Sequence, residues 1–89
     1  MEMIATFPTT QAALGAERTL LGEGLPVELI PVPSQIHGDC GFCLRVRGEG
    51  DPDEWSARLR DRGAQGLWRV TRVPAGPASR RGTQYERIP

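Results

Sequence analysis

Residues 42–54, with the sequence FCLRVRGEGDPDE, contain a predicted strand followed closely by the start of a helix. Apolar and charged side chains alternate over 42–47, and successive side chains of a strand point to opposite faces of its sheet. One face is therefore predicted to contact the helices and the other to point away from them: Phe42, Leu44 and Val46 on the first, and Cys43, Arg45 and Arg47 on the second.

Asp51 and Glu54 form the helix-start signal of this stretch. Asp51 supplies an N-cap carboxylate, a proline follows in the first turn, and Glu54 adds a carboxylate at the third helical position. The pattern predicts a helix that runs to about Arg62, with a thin apolar face made by Trp55 and Leu59.

The neighbouring sequence predicts four further elements. Pro8 ends a first strand, and Thr9 or Thr10 caps a first helix. The predicted ranges are strands over 3–7, 26–33 and 67–73 and a helix over 11–23, with the prolines of the second strand placing it at a sheet edge.

The order of elements in residues 1–73 predicts one α+β domain. Its ferredoxin-like βαββαβ pattern has a four-stranded antiparallel sheet with both helices on one face. The other face is expected to be partly open and to accept a second copy, giving a homodimer, or another partner. Residues 74–89 are rich in Pro, Gly and Arg and are predicted to be a flexible tail, with a late contact from Tyr85 or Ile88.

The composition favours a small intracellular protein. The 89 residues have no net charge, but residues 1–54 carry three Arg and nine acidic residues, whereas residues 55–89 carry eight Arg and two acidic residues. We expect the acidic first part and the basic second helix to present different docking faces. Low aromatic content argues against nucleic-acid binding. The absence of a signal peptide or an apolar span predicts a cytoplasmic location away from membranes, with reduced thiols.

Cys40 is the predicted chemical centre, within the loop HGDCGFC of residues 37–43. Gly41 is expected to turn the backbone at positive φ and to leave the sulfur accessible. Because an ordinary thiol is only slightly ionised at neutral pH, His37 and Arg45 are the candidates that support a thiolate, together with Arg47. The carboxylate of the neighbouring Asp39 would act against them.

Cys40 and Cys43 also form a Cys-x-x-Cys pair, which suits a reversible disulfide or a pair of metal ligands. Redox pairs of this type usually begin a helix, whereas Cys43 is predicted to enter a strand. His37, Cys40 and Cys43 give at most three good metal ligands, with Asp39 as a fourth, and the sequence has no second Cys-x-x-Cys or His pair. No metal or other cofactor is therefore predicted. Two plainer interpretations stay open: Cys43 is a half-buried strand residue, and His37 is a solvated loop residue.

Several segments between residues 3 and 70 resemble one family in their order and spacing. They are Ile4-Ala5-Thr6-Phe7-Pro8-Thr9-Thr10, Ala16-Glu17, Gly24-Leu25-Pro26-Val27, Leu29-Ile30-Pro31-Val32-Pro33 and Cys40-Gly41 followed by Leu44-Arg45. The sequence resembles the Se/S carrier protein-like family of small bacterial domains. It differs from that family at His37-Gly38-Asp39, where members often place Ser before the cysteine, and at Cys43, where they often have a small residue.

The resemblance implies a carrier that holds sulfur or selenium on Cys40 as a persulfide or selenopersulfide. Its partners would be a donor such as a cysteine desulfurase and an acceptor enzyme, so the chain is expected to be a carrier rather than a self-sufficient enzyme. The second thiol, Cys43, could discharge this persulfide and release sulfide, or lock the carrier as a disulfide. Two other functions stay open: a thiol-disulfide redox switch formed by Cys40 and Cys43, and a ferredoxin-like module that only binds partners.

Overall fold

A computed structural model describes residues 1–36, 41–73 and 82–89 of the chain. It has an α+β fold with two helices and one antiparallel sheet of five strands in the order β2-β3-β1-β4-β5. The elements in chain order are β1 (Glu2–Thr6), α1 (Thr10–Gly22), β2 (Val27–Pro31), β3 (Phe42–Arg47), α2 (Pro52–Asp61), β4 (Gly66–Val73) and β5 (Gly82–Ile88).

The predicted four-stranded sheet is wrong in its number of strands, because a fifth strand, β5, pairs with β4 from Leu67–Ile88 to Val73–Gly82. The α+β class and the order of elements up to β4 are confirmed. The expected tail is wrong for residues 82–88, while residues 74–81 lie outside the described residues. Strand β5 was not predicted, because its own pattern is weakly apolar and it follows the Pro- and Gly-rich residues 74–81.

Both helices begin at the predicted capping residues. The Thr9 hydroxyl accepts a hydrogen bond from the amide of Ala12 at 3.0 Å, and the Asp51 carboxylate accepts one from the amide of Asp53 at 2.9 Å. These caps satisfy backbone donors that the first turn of a helix cannot pair internally. The sequence therefore predicted both helix starts correctly.

The main core lies between the helices and one face of the sheet. It combines buried residues of both helices with those of four strands, which shows that α1 and α2 cover the same face: Met3, Ala5, Ala13, Ala16, Leu20, Val27, Leu44, Val46, Trp55, Leu59 and Leu67. Leu44 and Val46 face the helices as predicted. Phe42 does not share their burial, since it lies at the strand end and is 41% exposed.

The opposite face of the sheet, which we call the second face, carries a smaller apolar cluster. Its buried members are Ile4, Ile36, Cys43 and Val70, and partly buried side chains pack around them: Ile30, Val32, Trp68 and Tyr85. Ile36 belongs to the loop between β2 and β3, so this loop covers part of a face that the sequence predicted to be partly open. The predicted late contacts of Tyr85 and Ile88 are confirmed, Tyr85 on this face and Ile88 against the main core.

The outer edge of β2 is closed by a side chain from α1. The amide of Leu29 donates a hydrogen bond to the Glu17 carboxylate at 2.8 Å, and Pro31 in the same strand has no amide hydrogen to offer. The predicted edge position of β2 is confirmed. An added strand would have to displace Glu17 in order to pair here.

Ion pairs join the acidic and basic parts of the chain. Arg58 and Arg62 each contact the Glu23 carboxylate at 2.8 Å, and Arg72 contacts Glu2 at 2.9 Å. The hydrogen bond from Arg58, and after it that from Arg62, lowers the pKa of Glu23 below its ordinary value. Part of the charge asymmetry is therefore neutralised by ion pairs within the domain.

Candidate functional site

The loop between β2 and β3 is closed at its base by backbone hydrogen bonds. The amide of Val32 donates to the carbonyl of Gly41 at 3.0 Å, and the amide of Ile36 donates to the carbonyl of Pro33 at 3.0 Å. Residues 37–40 lie between these two anchors and outside the described residues. The roles predicted for His37, Asp39 and Cys40 therefore stay predictions.

Gly41, which follows Cys40 directly, was expected at positive φ, but this angle is defined partly by Cys40, which lies outside the described residues, so the expectation stays a prediction. Its carbonyl accepts a hydrogen bond from the amide of Val32 at the start of the strand pair. Positive φ among the described glycines is found at Gly24, Gly48 and Gly63. Gly41 also supplies space, because no atom of the described residues lies within 4 Å of the position that a Cβ atom would occupy.

We expect Gly41→Ala to be tolerated. Since no atom of the described residues lies within 4 Å of the new methyl group, the free energy of unfolding should change by less than about 0.5 kcal/mol. Urea unfolding followed by circular dichroism measures this, with Gly63→Ala as the control, because Gly63 has a φ of +96° and should be strained by any side chain. A larger loss at Gly41 than at Gly63 would contradict this account.

Cys43 lies on the second face, as the alternation predicted, and it is 0% exposed. Its thiol donates a weak hydrogen bond to the carbonyl of Pro31 at 3.9 Å, and its strand neighbours in register are Ile30 and Thr6. The sequence left two interpretations of Cys43 open, a reactive thiol and a structural strand residue. Its full burial agrees with the structural interpretation. Buried structural cysteines are usually inert, so a reactive role for Cys43 requires this cluster to open.

Arg45 lies two residues beyond Cys43 on the second face, and its guanidinium is bound to Glu28. The Nη2 to Oε2 distance is 2.8 Å, and this hydrogen bond is the main reason why the pKa of Glu28 is lowered, with a smaller contribution from Arg47. The buried Nε atom of Arg45 has no hydrogen-bond partner among the described residues. Any support that Arg45 gives to a thiolate therefore competes with its ion pair to Glu28.

The N-terminus of α1 lies at the same end of the sheet as Gly41. Thr6, the last residue of β1, is opposite Cys43, and α1 begins four residues later at Thr10. A helix N-terminus carries partial positive charge, and the first turn of α1 has no acidic residue to offset it. This feature was not predicted from the sequence, because it depends on the pairing of β1 with β3.

No group of three or more His, Cys, Asp and Glu side chains within residues 1–36, 41–73 and 82–89 is arranged to hold a metal ion. In the same part of the chain, neither helix is long and apolar enough to cross a membrane.

Comparison with protein families gives one match, over residues 2–66, to the family described as "Putative Se/S carrier protein-like". The match covers both helices and the whole β2–β3 loop, including Cys40 and Gly41. The chain belongs to this family. Its resemblance to the Se/S carriers, predicted from separate motifs, is thereby confirmed, while the rest of β4 and all of β5 lie beyond the matched residues. Neither the curated proteins nor the solved structures include a significant match to the chain.

Proposed function

We propose that this Se/S carrier-like protein holds sulfur, or selenium, on Cys40 and passes it from a donor such as a cysteine desulfurase to an acceptor enzyme. The observation that carries the proposal is the family match across Cys40 and Gly41. The other thiol of the chain, Cys43, is fully buried in the second face. Cys40 is therefore the cysteine that we assign to the cargo.

The chemistry needs no cofactor. The Cys40 thiolate attacks the terminal sulfur of a persulfide on the donor, a new sulfur–sulfur bond forms, and the donor cysteine leaves as a thiolate. An acceptor nucleophile then attacks the terminal sulfur on Cys40, and the Cys40 thiolate leaves. No net oxidant or reductant is consumed in either transfer, so a small domain without a deep pocket can carry it out.

Two features near the loop support this chemistry. The N-terminus of α1 favours negative charge at the end of the sheet where Gly41 lies, and such charge develops on a thiolate or a persulfide. Gly41 itself is exposed and leaves open space beside the chain.

Sulfur loading tests the proposal directly. The protein is incubated with a cysteine desulfurase and cysteine in the absence of a reductant, and its intact mass is measured. We expect an increment of one sulfur atom that disappears on treatment with dithiothreitol. A reaction without cysteine is the control, and wild-type protein that keeps its original mass under these conditions would refute the proposal.

A further inference from the structure

Among the described residues of the β2–β3 loop, Ile36 is the one whose side chain is buried. It is only 4% exposed, although the two residues before it, Ser34 and Gln35, are exposed. Its amide closes a turn on Pro33 at 3.0 Å, which fixes the direction in which the loop leaves β2. The loop is thus attached to the domain through a side chain as well as through its base.

The site that receives Ile36 is built on the second face from several strands. Ile4 of β1, Cys43 of β3 and Val70 of β4 are its buried members, and Tyr85 of β5 packs beside them. Tyr85 reaches this position because it is opposite Val70 in the β4–β5 register. Val70 and Tyr85 lie beyond the family match, so this chain completes the cluster with its own C-terminal strands.

Cys43 is part of the same cluster and has no exposed surface. Only two residues separate it from Cys40 in the sequence, a spacing at which a disulfide can form once both sulfur atoms are free to approach. A nucleophilic thiol must be reached by its target. Cys43 can therefore attack a neighbouring sulfur only when the cluster around it opens.

We propose that Ile36 is a positioning residue that seats the β2–β3 loop on the second face, keeps Cys43 covered and so prevents Cys43 from discharging sulfur held on Cys40. The consequence for the cargo rests on the function proposed above, whereas the covering of Cys43 does not. While Ile36 is seated, the carrier retains its sulfur. When Ile36 leaves the cluster, the second thiol becomes reactive.

The discharge step is balanced without an external reagent. The Cys43 thiolate attacks the Cys40 sulfur, the bond between that sulfur and the terminal sulfur breaks, and a disulfide forms between the two cysteines. The terminal sulfur takes the electron pair of the broken bond and leaves as sulfide, which accepts the proton released by Cys43. The persulfide is thus the oxidant, and its outer sulfur is reduced.

The first test measures the exposure of Cys43 alone, in a Cys40→Ser background. Native protein is treated with iodoacetamide, and the rate of alkylation at Cys43 is followed by peptide mass spectrometry. Because access requires local opening, Ile36→Ala should raise this rate at least about tenfold. Val46→Ala is the matched control. Val46 is a fully buried aliphatic residue of β3, the strand that contains Cys43, but it lies on the helix-covered face.

Two milder variants keep the test decisive if Ile36→Ala does not fold. Ile36→Val and Tyr85→Ala each remove part of the packing in the cluster, and both should raise the alkylation rate above that of Val46→Ala. The inference is overturned if the variants at Ile36 and Tyr85 label Cys43 no faster than wild type. It is equally overturned if Val46→Ala labels as fast as they do, because global unfolding would then explain the exposure.

A second test uses protein with both cysteines, loaded with sulfur and freed from the donor. Ile36→Ala should release sulfide several times faster than wild type and end as a disulfide, and adding Cys43→Ala should suppress this release. Faster release that persists without Cys43 would contradict the discharge step. If wild type takes up no sulfur at all, the proposed function fails, and the alkylation rates still decide whether Ile36 covers Cys43.

Discussion

Replacing Cys40 with serine should abolish sulfur loading, whereas replacing Cys43 with alanine should leave the loaded fraction close to that of wild type. A hydroxyl group cannot form a persulfide, so Cys40→Ser removes the only atom that we assign to the cargo. Cys43 is fully buried on the second face and needs no contact with a donor. Intact mass after incubation with a desulfurase and cysteine measures both variants under the same conditions.

The pair of variants also separates the carrier from a redox switch. A switch that works through a disulfide needs both thiols, so it would lose its function equally in Cys40→Ser and Cys43→Ala. Circular dichroism of each variant establishes that the fold is retained before loading is compared. If a folded Cys43→Ala protein fails to load, the assignment of Cys40 as a self-sufficient carrier residue is wrong, and the two cysteines act as a unit.

Trp55→Ala should cause the largest loss of stability among substitutions in α2. The buried residues of this helix are Trp55, Ser56 and Leu59, so the indole supplies much of the apolar contact that attaches α2 to the core. Removing a large buried aromatic side chain costs about 3–5 kcal/mol in the free energy of unfolding. For a domain of this size each kcal/mol corresponds to about 4–8 °C, so the melting temperature should fall by at least about 12 °C.

Thermal and urea unfolding followed by circular dichroism measure this loss. Leu21→Ala is the matched control, because Leu21 is also an apolar helical residue but is 51% exposed in α1. It should change stability by no more than about 0.5 kcal/mol. A loss below about 1 kcal/mol for Trp55→Ala would contradict the role of Trp55 as the main core contact of α2.

Local sequence signals were sufficient for most of the fold. The alternation in β3 and the capping residues Thr9 and Asp51 act over a few neighbouring residues, so they could be recognised without knowledge of the rest of the chain. β5 was missed because its stability depends on pairing with β4, a partner that its own weak pattern does not reveal. Tertiary pairing decided this element, and local propensity did not.

The candidate site was predicted less completely, for the same reason. Alternation placed Cys43 on the second face, but its full burial depends on Ile36, Val70 and Tyr85, which come from three other parts of the chain. Ile36 itself was visible only as a single apolar residue in a polar loop. Gly41 was singled out from residue type alone, and its backbone hydrogen bond with Val32 across the base of the loop was not predicted.

The contact between Glu17 and the Leu29 amide limits how this protein can assemble. Growth of a fibre by head-to-tail strand pairing requires two open edges on every subunit, because each copy must both receive a strand and offer one. Glu17 obstructs one of these edges. Lateral joining through the other edge would end with a pair of molecules, so the contact at β2 disfavours continuous polymerisation.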